Sequence, residues 1–375
     1  MSILTLNAGS SSIKFSVWED EARTLSGQVD RIGPDATLRI GDDRTALGPT
    51  DHANGVQAIL SAVAPHLQTP LDGIGHRVVH GGPDFAAPVT LTPQVIAQLE
   101  KYIPLAPLHQ PHNLAAVNAA GKAFPHAVHV ACFDTAFHRG HPWVNDTFAI
   151  PRAFYDEGVR RYGFHGLSYD YITRHLASHY PELAHNRVII AHLGNGASMC
   201  ATRGGQSVGS TMGFSALDGL PMGTRCGQID PGVLLYLMDA KGMDAADIST
   251  MLYKESGLKG LSGISHDMRT LLASDAPEAA QAIDYYCFRI RREIGAMAAV
   301  LGGLDALVFC GGVGENAAPI RAQVIADMDF LGLRIDAEAN AENATNVALG
   351  DTPILVIPTD EESVIASATR AALHA

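Results

Sequence analysis

Two short polar stretches interrupt apolar runs, and their residue types suit the chemistry of anions. In NAGSSSIKF, a strand reaching Asn7 breaks into Gly9, Ser10, Ser11 and Ser12, then resumes as Ile13, Phe15 and Val17. A hairpin needs only a two-residue Asn-Gly turn, so the longer loop implies a job of its own. Backbone N–H groups of a Gly/Ser turn converge readily on an anion, serine hydroxyls add donors, and Lys14 supplies positive charge. The combination reads as a phosphate cradle; a solvated turn with an edge lysine is the plainer alternative. HLGNGAS echoes it, with His192, Leu193, Gly194, Asn195 and Gly196 leading to Ser198. Two such hairpins could hold a polyphosphate between them.

Charged residues of matching kind stand elsewhere in the chain. Arg77 in GHRVVHGG and Arg225 in GLPMGTRCG lie among glycines that would let a ligand approach the backbone. An arginine so placed can hold a carboxylate or phosphate with two parallel hydrogen bonds, or can form a structural ion pair. Asp134 in ACFDTAFH and Glu361 and Glu362 in IPTDEES sit where strands end. Carboxylates there suit a hard cation such as Mg2+, which needs one or two of them, although acids opening a helix also suit its dipole. The 17 histidines include His76/His80 and His109/His112 at ligand-like spacings, but without thiols or an H-E-x-x-H motif zinc is a weak reading. His165 and His192, each flanked by glycines, are the more interesting ones.

No G-x-x-x-x-G-K-[ST] motif occurs. Gly312-Val313-Gly314-Glu315-Asn316-Ala317 follows an apolar strand and matches a dinucleotide-binding fingerprint in outline. Glu315 stands where a pyrophosphate would bind, so a loop touching the adenosine end of a nucleotide fits better. An NAD-dependent dehydrogenase is therefore the alternative function, and a filament or chaperone ATPase a third.

The elements that must position these residues follow from periodicity. Apolar strands alternate with helical patterns, giving an α/β class. The two hairpins suggest a duplicated sheet domain. A helix is expected from about Asn113, another from Gly232, and a long one through Ile283, Cys287, Ile290, Ile294, Met297 and Leu301. With 375 residues, 47% of them hydrophobic, the chain can build two cores. A net charge of −13 argues against nucleic acid as a partner, and no segment reads as a signal peptide or membrane span. The five cysteines lack C-x-x-C spacing and read as small core residues in a reducing, cytoplasmic setting.

Taken in order, NAGSSSIKF, GHRVVHGG, PLH, FDTAFH, YGFHG, HLGNGAS, MGTRCG, GGVGEN and PTDEE resemble the acetate kinase family over nearly the whole chain. The resemblance implies two ribonuclease-H-like, actin-like ATPase domains, residues 1–138 with 362–375 and residues 139–361, with a cleft between them and a homodimer through the second. It implies Mg2+, or Mn2+ in its place, with ATP as co-substrate and acetate, or another short-chain carboxylate such as propionate, as acceptor. By matched position, Asn7, Ser10, Ser12 and Lys14 attend the phosphates, and Asn7 and Glu361 the metal. Arg77 and Arg225 hold the carboxylate and the moving phosphoryl group, His165 stabilises the latter, and Asp134 and His109 complete the catalytic set. His192, Leu193, Gly194, Asn195 and Gly196 form the second phosphate hairpin. Asp267, Met268, Arg269, Gly312, Val313, Gly314, Glu315, Asn316 and Ile320 are expected at the nucleotide, and Val79, Leu108, Phe164 and Ala216 around the substrate methyl group. The family commonly has proline where this chain has Ala216, so the implied methyl pocket is trimmed on one side.

Acetate and ATP repel each other. At an effective dielectric of about 20 and about 4 Å, each unit-charge repulsion is on the order of 4 kcal/mol. The cations answer that repulsion, and a carboxylate already ionised at neutral pH needs no general base. Asp134 is accordingly expected to position metal, water or arginine rather than to take a proton, and domain closure is expected to exclude water.

Overall fold

The computed structural model describes residues 1–9, 12–67, 69–107 and 109–375. Ser10 and Leu108, both expected at the site, lie outside the described residues. The chain forms two compact units, Met1–Arg139 with Asp360–Ala375, and Gly140–Thr359.

In the first unit the strands are β1 (Ser2–Ala8), β2 (Ile13–Glu19), β3 (Ala22–Asp30), β4 (Gly33–Ile40), β5 (Asp43–Thr50), β6 (Gly73–Val78), β7 (Val89–Thr90) and β8 (Val128–Phe133). They form one sheet in the order β5-β4-β3-β2-β1-β6-β8-β7. Every residue of β1 is buried, because both faces of the sheet are covered there. Successive side chains point to opposite faces. Leu4, Leu6, Phe15 and Val17 pack with Val56, Ile59 and Leu60 of the helix His52–Val63. Ile3 and Trp18 pack on the other face with Ala366 of the helix Glu361–Leu373. Asn7 shares the parity of Ile3 and so looks toward that C-terminal helix.

The second unit contains β9 (Arg187–Leu193), β10 (Ala197–Arg203), β11 (Gln206–Ser210), β12 (Ala306–Cys310) and β13 (Ile354–Val356) in the order β11-β10-β9-β12-β13. β9, β10 and β11 pair antiparallel, whereas β9, β12 and β13 pair parallel. The series β3-β2-β1-β6-β8 has the same order and the same senses. The duplication suggested by the two hairpins is thus present in the sheets.

Two expectations need correction. The helix expected near Asn113 begins at Gln110, since Pro111 in the first turn lacks only an N–H that has no partner there. Cys132, Cys200, Cys287 and Cys310 are buried, but Cys226 is only partly so. The long helix runs Pro277–Leu301 and buries all six residues that marked its period.

Two buried histidines make the first unit acid-sensitive. Burial pulls His76 and His80 down to about 3. Both stay neutral in the fold but take a proton in the unfolded chain below its ordinary value of about 6.5. The unfolded state therefore binds more protons between about 6.5 and 3, and stability falls as the pH is lowered through that window, by about 1.4 kcal/mol per pH unit per histidine. Urea midpoints measured between pH 7 and pH 5 should show this slope, and His76→Gln should flatten it.

Candidate functional site

In the first unit a chain of polar contacts starts where β1, β6 and β8 end. Arg77 Nε donates to both Asp134 oxygens at 3.1 Å, and Nη2 donates to Oδ2 at 2.6 Å. Its Nη1 donates to Asn7 Oδ1 at 3.1 Å. Asn7 Nδ2 in turn donates to Glu361 Oε2 at 2.8 Å and Glu362 Oε1 at 3.1 Å. Parallel pairing of β1 with β6 ends at Leu6 opposite His76, which sets Asn7 beside Arg77. Asp360 caps the C-terminal helix by accepting from Ser363 N, so Glu361 and Glu362 open its first turn against Asn7.

The electrostatics of this cluster favour a further cation. Burial acts to lower Arg77, but Asp134, Glu361 and Glu362 outweigh it and hold the guanidinium above its ordinary value. Burial pushes Asp134 up against the pull of Arg77. Burial also raises Glu362, while Lys14 draws it back. Three carboxylates thus share Arg77 and Lys14, an excess of one negative charge when all are ionised. Oxygen donors with surplus negative charge fit Mg2+, which keeps several waters and needs no all-protein cage. Among the described residues no group of three His, Cys, Asp or Glu side chains could hold a metal by itself. The ligand-like histidine spacings lead elsewhere: His76 Nε2 meets His129 Nδ1 at 3.0 Å, and His112 stacks on His52 at 4.0 Å. Glu362, named from sequence with Glu361 as a strand-end carboxylate but given no role by matched position, joins the cluster through Asn7.

The first polar turn is held from behind. Gly9 N donates to Ser12 O at 2.8 Å, Asn113 Nδ2 donates to Ala8 O at 2.8 Å, and His52 Nε2 lies 2.8 Å from Gly9 O. Lys14 pairs directly opposite Asn7 and is exposed. Val79, expected at the methyl pocket, is buried, with its N–H donating to Asn113 Oδ1. His109 precedes the helix Gln110–Ala123, and its imidazole makes no capping bond there.

In the second unit, His165, His192, the β9–β10 turn and Arg225 come together. His165 adopts a left-handed backbone, φ 57°, at the start of the helix Gly166–His179. Its Nδ1 is hydrogen bonded to Ser198 Oγ at 2.7 Å, and its ring stacks on His192 at 4.4 Å. His192 Nδ1 is hydrogen bonded to Ser168 Oγ at 2.9 Å. A Cβ on Gly196 would lie 2.7 Å from Arg225 Nη2 and 3.3 Å from His165 Nε2, so only glycine leaves both side chains where they are. Arg225 Nη1 donates to Ala216 O at 2.8 Å. Gly223 N donates to Asn195 O at 3.1 Å, and a Cβ there would be 3.2 Å from His266 O, which brings the Asp267–Arg269 segment beside this turn. Gly194 is next to Gly312 N by the same measure, at 4.0 Å.

Comparison with known proteins identifies the family. The family model described as the acetokinase family covers residues 2–367. The chain belongs to the acetokinase family. It is 52% identical over 394 residues to a protein of Methylocella silvestris named acetate kinase, covering 99% of this chain and 98% of that one. The crystal structure of Porphyromonas gingivalis acetate kinase superposes with a TM-score of 0.90 at 38% identity, covering 99% of each chain. That of a propionate kinase from Francisella tularensis gives 0.93 at 34% identity, again over 99% of each. The fold is accordingly that of the actin-like ATPase kinases, and the dehydrogenase alternative has no support.

Several of the residues expected at the nucleotide and the substrate methyl group also have structural partners in the fold. Gly312, Val313, Gly314, Glu315 and Asn316 form a short helix, Gly311–Asn316, rather than an open loop. Glu315 Oε1 accepts from Gly311 N at 2.8 Å and Thr359 N at 3.2 Å, so that oxygen secures backbone. Asn316 Nδ2 donates to Gly312 O at 2.9 Å. Ile320 and Leu193 have no exposed surface, and Met268 and Phe164 almost none, so their side chains belong first to the core. Asp267 caps the helix Met268–Leu272 and is paired with the exposed Arg269, which holds it down to about 2. The glycines around Arg77 admit protein rather than ligand: a Cβ on Gly75 would be 2.3 Å from Thr369 Oγ1, and one on Gly82 2.4 Å from Tyr102.

Removing one partner of a buried ion pair strands the other charge. Asp134 is 1% exposed and the Arg77 side chain 15%. Asp134→Ala should therefore destabilise the protein by about 3 kcal/mol or more. Denaturant unfolding followed by far-UV circular dichroism would measure it.

Proposed function

We propose that this chain catalyses reversible transfer of the ATP γ-phosphoryl group to acetate, giving acetyl phosphate and ADP. The observation that carries the reading is the Asp134–Arg77–Asn7–Glu361/Glu362 chain of contacts beside the first polar turn, in a protein half identical to proteins named acetate kinase. Arginine geometry matches carboxylate and phosphoryl oxygens, and neither reactant has a proton that must be removed before attack.

In this reading a carboxylate oxygen attacks phosphorus in line, the bond to the ADP oxygen breaks, and charge gathers on three equatorial oxygens. Arg225 and His165, which meet across Gly196, stabilise that charge. Ser198 and His192 hold the His165 ring in place. Arg77, oriented by Asp134 at both oxygens, meets the negative reactants without depending on a proton transfer. Asp134 thereby acts as a positioning residue, one of the roles left open from sequence. Lys14 and the Gly9–Ser12 turn attend one phosphate end, and Asn195 and Gly196 the other. Mg2+, held by Glu361 with Glu362 and Asn7 beside it, would supply positive charge to the phosphoryl oxygens. The nucleotide base is assigned to the Asp267–Arg269 and Gly312–Asn316 segments, and His109 to the acceptor end.

The proposal extends to assembly and location. The helix Pro231–Lys241 buries none of its residues, leaving Leu235 62% and Tyr236 55% exposed, with Phe288 57% exposed on the helix Pro277–Leu301. Apolar exposure on this scale suits a second copy of the chain, giving a homodimer through the second unit. The free cysteines suit a reducing cytoplasm, and among the described residues no helix is long and apolar enough to cross a membrane.

The deciding experiment incubates the protein with Mg-ATP and acetate, propionate or butyrate, and traps acyl phosphate with hydroxylamine. Acyl hydroxamate should form with acetate; none with any of the three acids would overturn the proposal. Arg225→Ala should lower turnover by about 100-fold or more while leaving the melting temperature within a few degrees, the scale of losing one transition-state donor. Ala216 offers its carbonyl to Arg225 whatever its side chain, so Ala216→Pro should change the pocket wall without removing that contact. The ratio of kcat/KM for acetate over propionate should rise in this variant, by about the 10-fold that one methylene commonly decides.

A further inference from the structure

Beyond Asn7, the cross-strand register extends a row of polar side chains away from the candidate site. Asn7 lies opposite Lys14, Lys14 opposite Gln28, Gln28 opposite Arg39, and Arg39 opposite Arg44. Directly paired residues share a face of the sheet, so β1 to β5 present one continuous row. Beside it lies a cavity of about 350 Å³ lined by Lys14, Ser16, Arg23, Gln28, Arg39 and Glu362 among others. Arg23 is already paired with Asp360 and lies 4.6 Å over Trp18. Among the described residues neither Lys14 nor Arg39 has a carboxylate oxygen within 4.0 Å in a salt bridge. The Gln28 amide nitrogen donates to Asp30 at 2.7 Å, holding that side chain along the row. With Arg23 committed to Asp360, Lys14 and Arg39 face one carboxylate of the lining, Glu362.

We propose that this cavity is a second anion site, taking a compact phosphate-class oxyanion between Lys14 and Arg39, over Gln28 and with the Ser16 and Ser26 hydroxyls at its margin. Strands are about 4.8 Å apart, so Gln28 stands about 10 Å from Asn7 and the site is separate from the reacting atoms. Its occupant competes with the candidate site for Lys14, the one cation common to both. A chain carrying −13 overall otherwise repels such ligands, so the local row is what admits one.

Isothermal titration of the full chain with inorganic phosphate alone, without nucleotide or acetate, tests the site independently of the kinase reading. Arg39→Gln should weaken one phosphate-binding event about 10-fold, the scale of losing a charge-assisted contact. Arg44→Gln, next on the row but outside the cavity lining, should change it less than about two-fold, since an exposed side chain without direct contact acts on the anion only through water. Turnover of Arg39→Gln in phosphate-free buffer should match the unaltered protein, showing that the fold is intact. Equal weakening in both variants would mean diffuse attraction only and would overturn the proposal. So would unchanged phosphate binding in Arg39→Gln, or no phosphate binding by the unaltered protein.

Discussion

The register of β1 is the constraint on which the first unit depends. Side chains alternate between the two faces of a strand, so a one-residue slip would exchange every one of them. Leu4 and Leu6 need the core under the helix His52–Val63, and Ile3 needs the C-terminal helix. With those satisfied, Asn7 can only face Glu361 and Glu362, with Arg77 on one side and Lys14 on the other. Packing energy thus positions groups that contribute little apolar burial themselves.

Charge balance then explains why the cluster holds together. Arg77 cannot lose its proton at accessible pH, so it stays a fixed positive centre for whichever carboxylates approach. Asp134 takes the bidentate face, and Asn7, neutral and able both to donate and to accept, links the remaining guanidinium nitrogen to two glutamates. Replacing that amide by a carboxylate would add like charge, and replacing it by an alkyl group would remove all three bonds. An asparagine is the side chain that satisfies the guanidinium and both glutamates together.

The two units repeat one sheet topology but use their first hairpin differently. In the first unit the turn sits among Asn7, Lys14 and the C-terminal acids. In the second, the corresponding turn lies against His165 and Arg225, with Gly196 as the spacer whose missing side chain leaves them room. Duplication supplies the scaffold twice, and substitution at the strand ends then gives one copy carboxylates and the other imidazoles.

Much of this was legible in the chain itself. Periodicity marked the helix Pro277–Leu301, paired hairpins marked the duplication, and nine ordered motifs marked the family, because each depends on residues close together in sequence. What the sequence could not decide were matters of partner choice across long separations. Asn7 meets Glu362 across 355 residues, and Arg77 meets Asp134 across 57. Glu315 and the glycines beside Arg77 looked available for ligand, yet tertiary packing commits them to backbone and to Thr369 and Tyr102. Residue type and local spacing state which chemistry a side chain is capable of; only the folded sheet, by its register and the helix laid across it, decides which groups are near enough to use it.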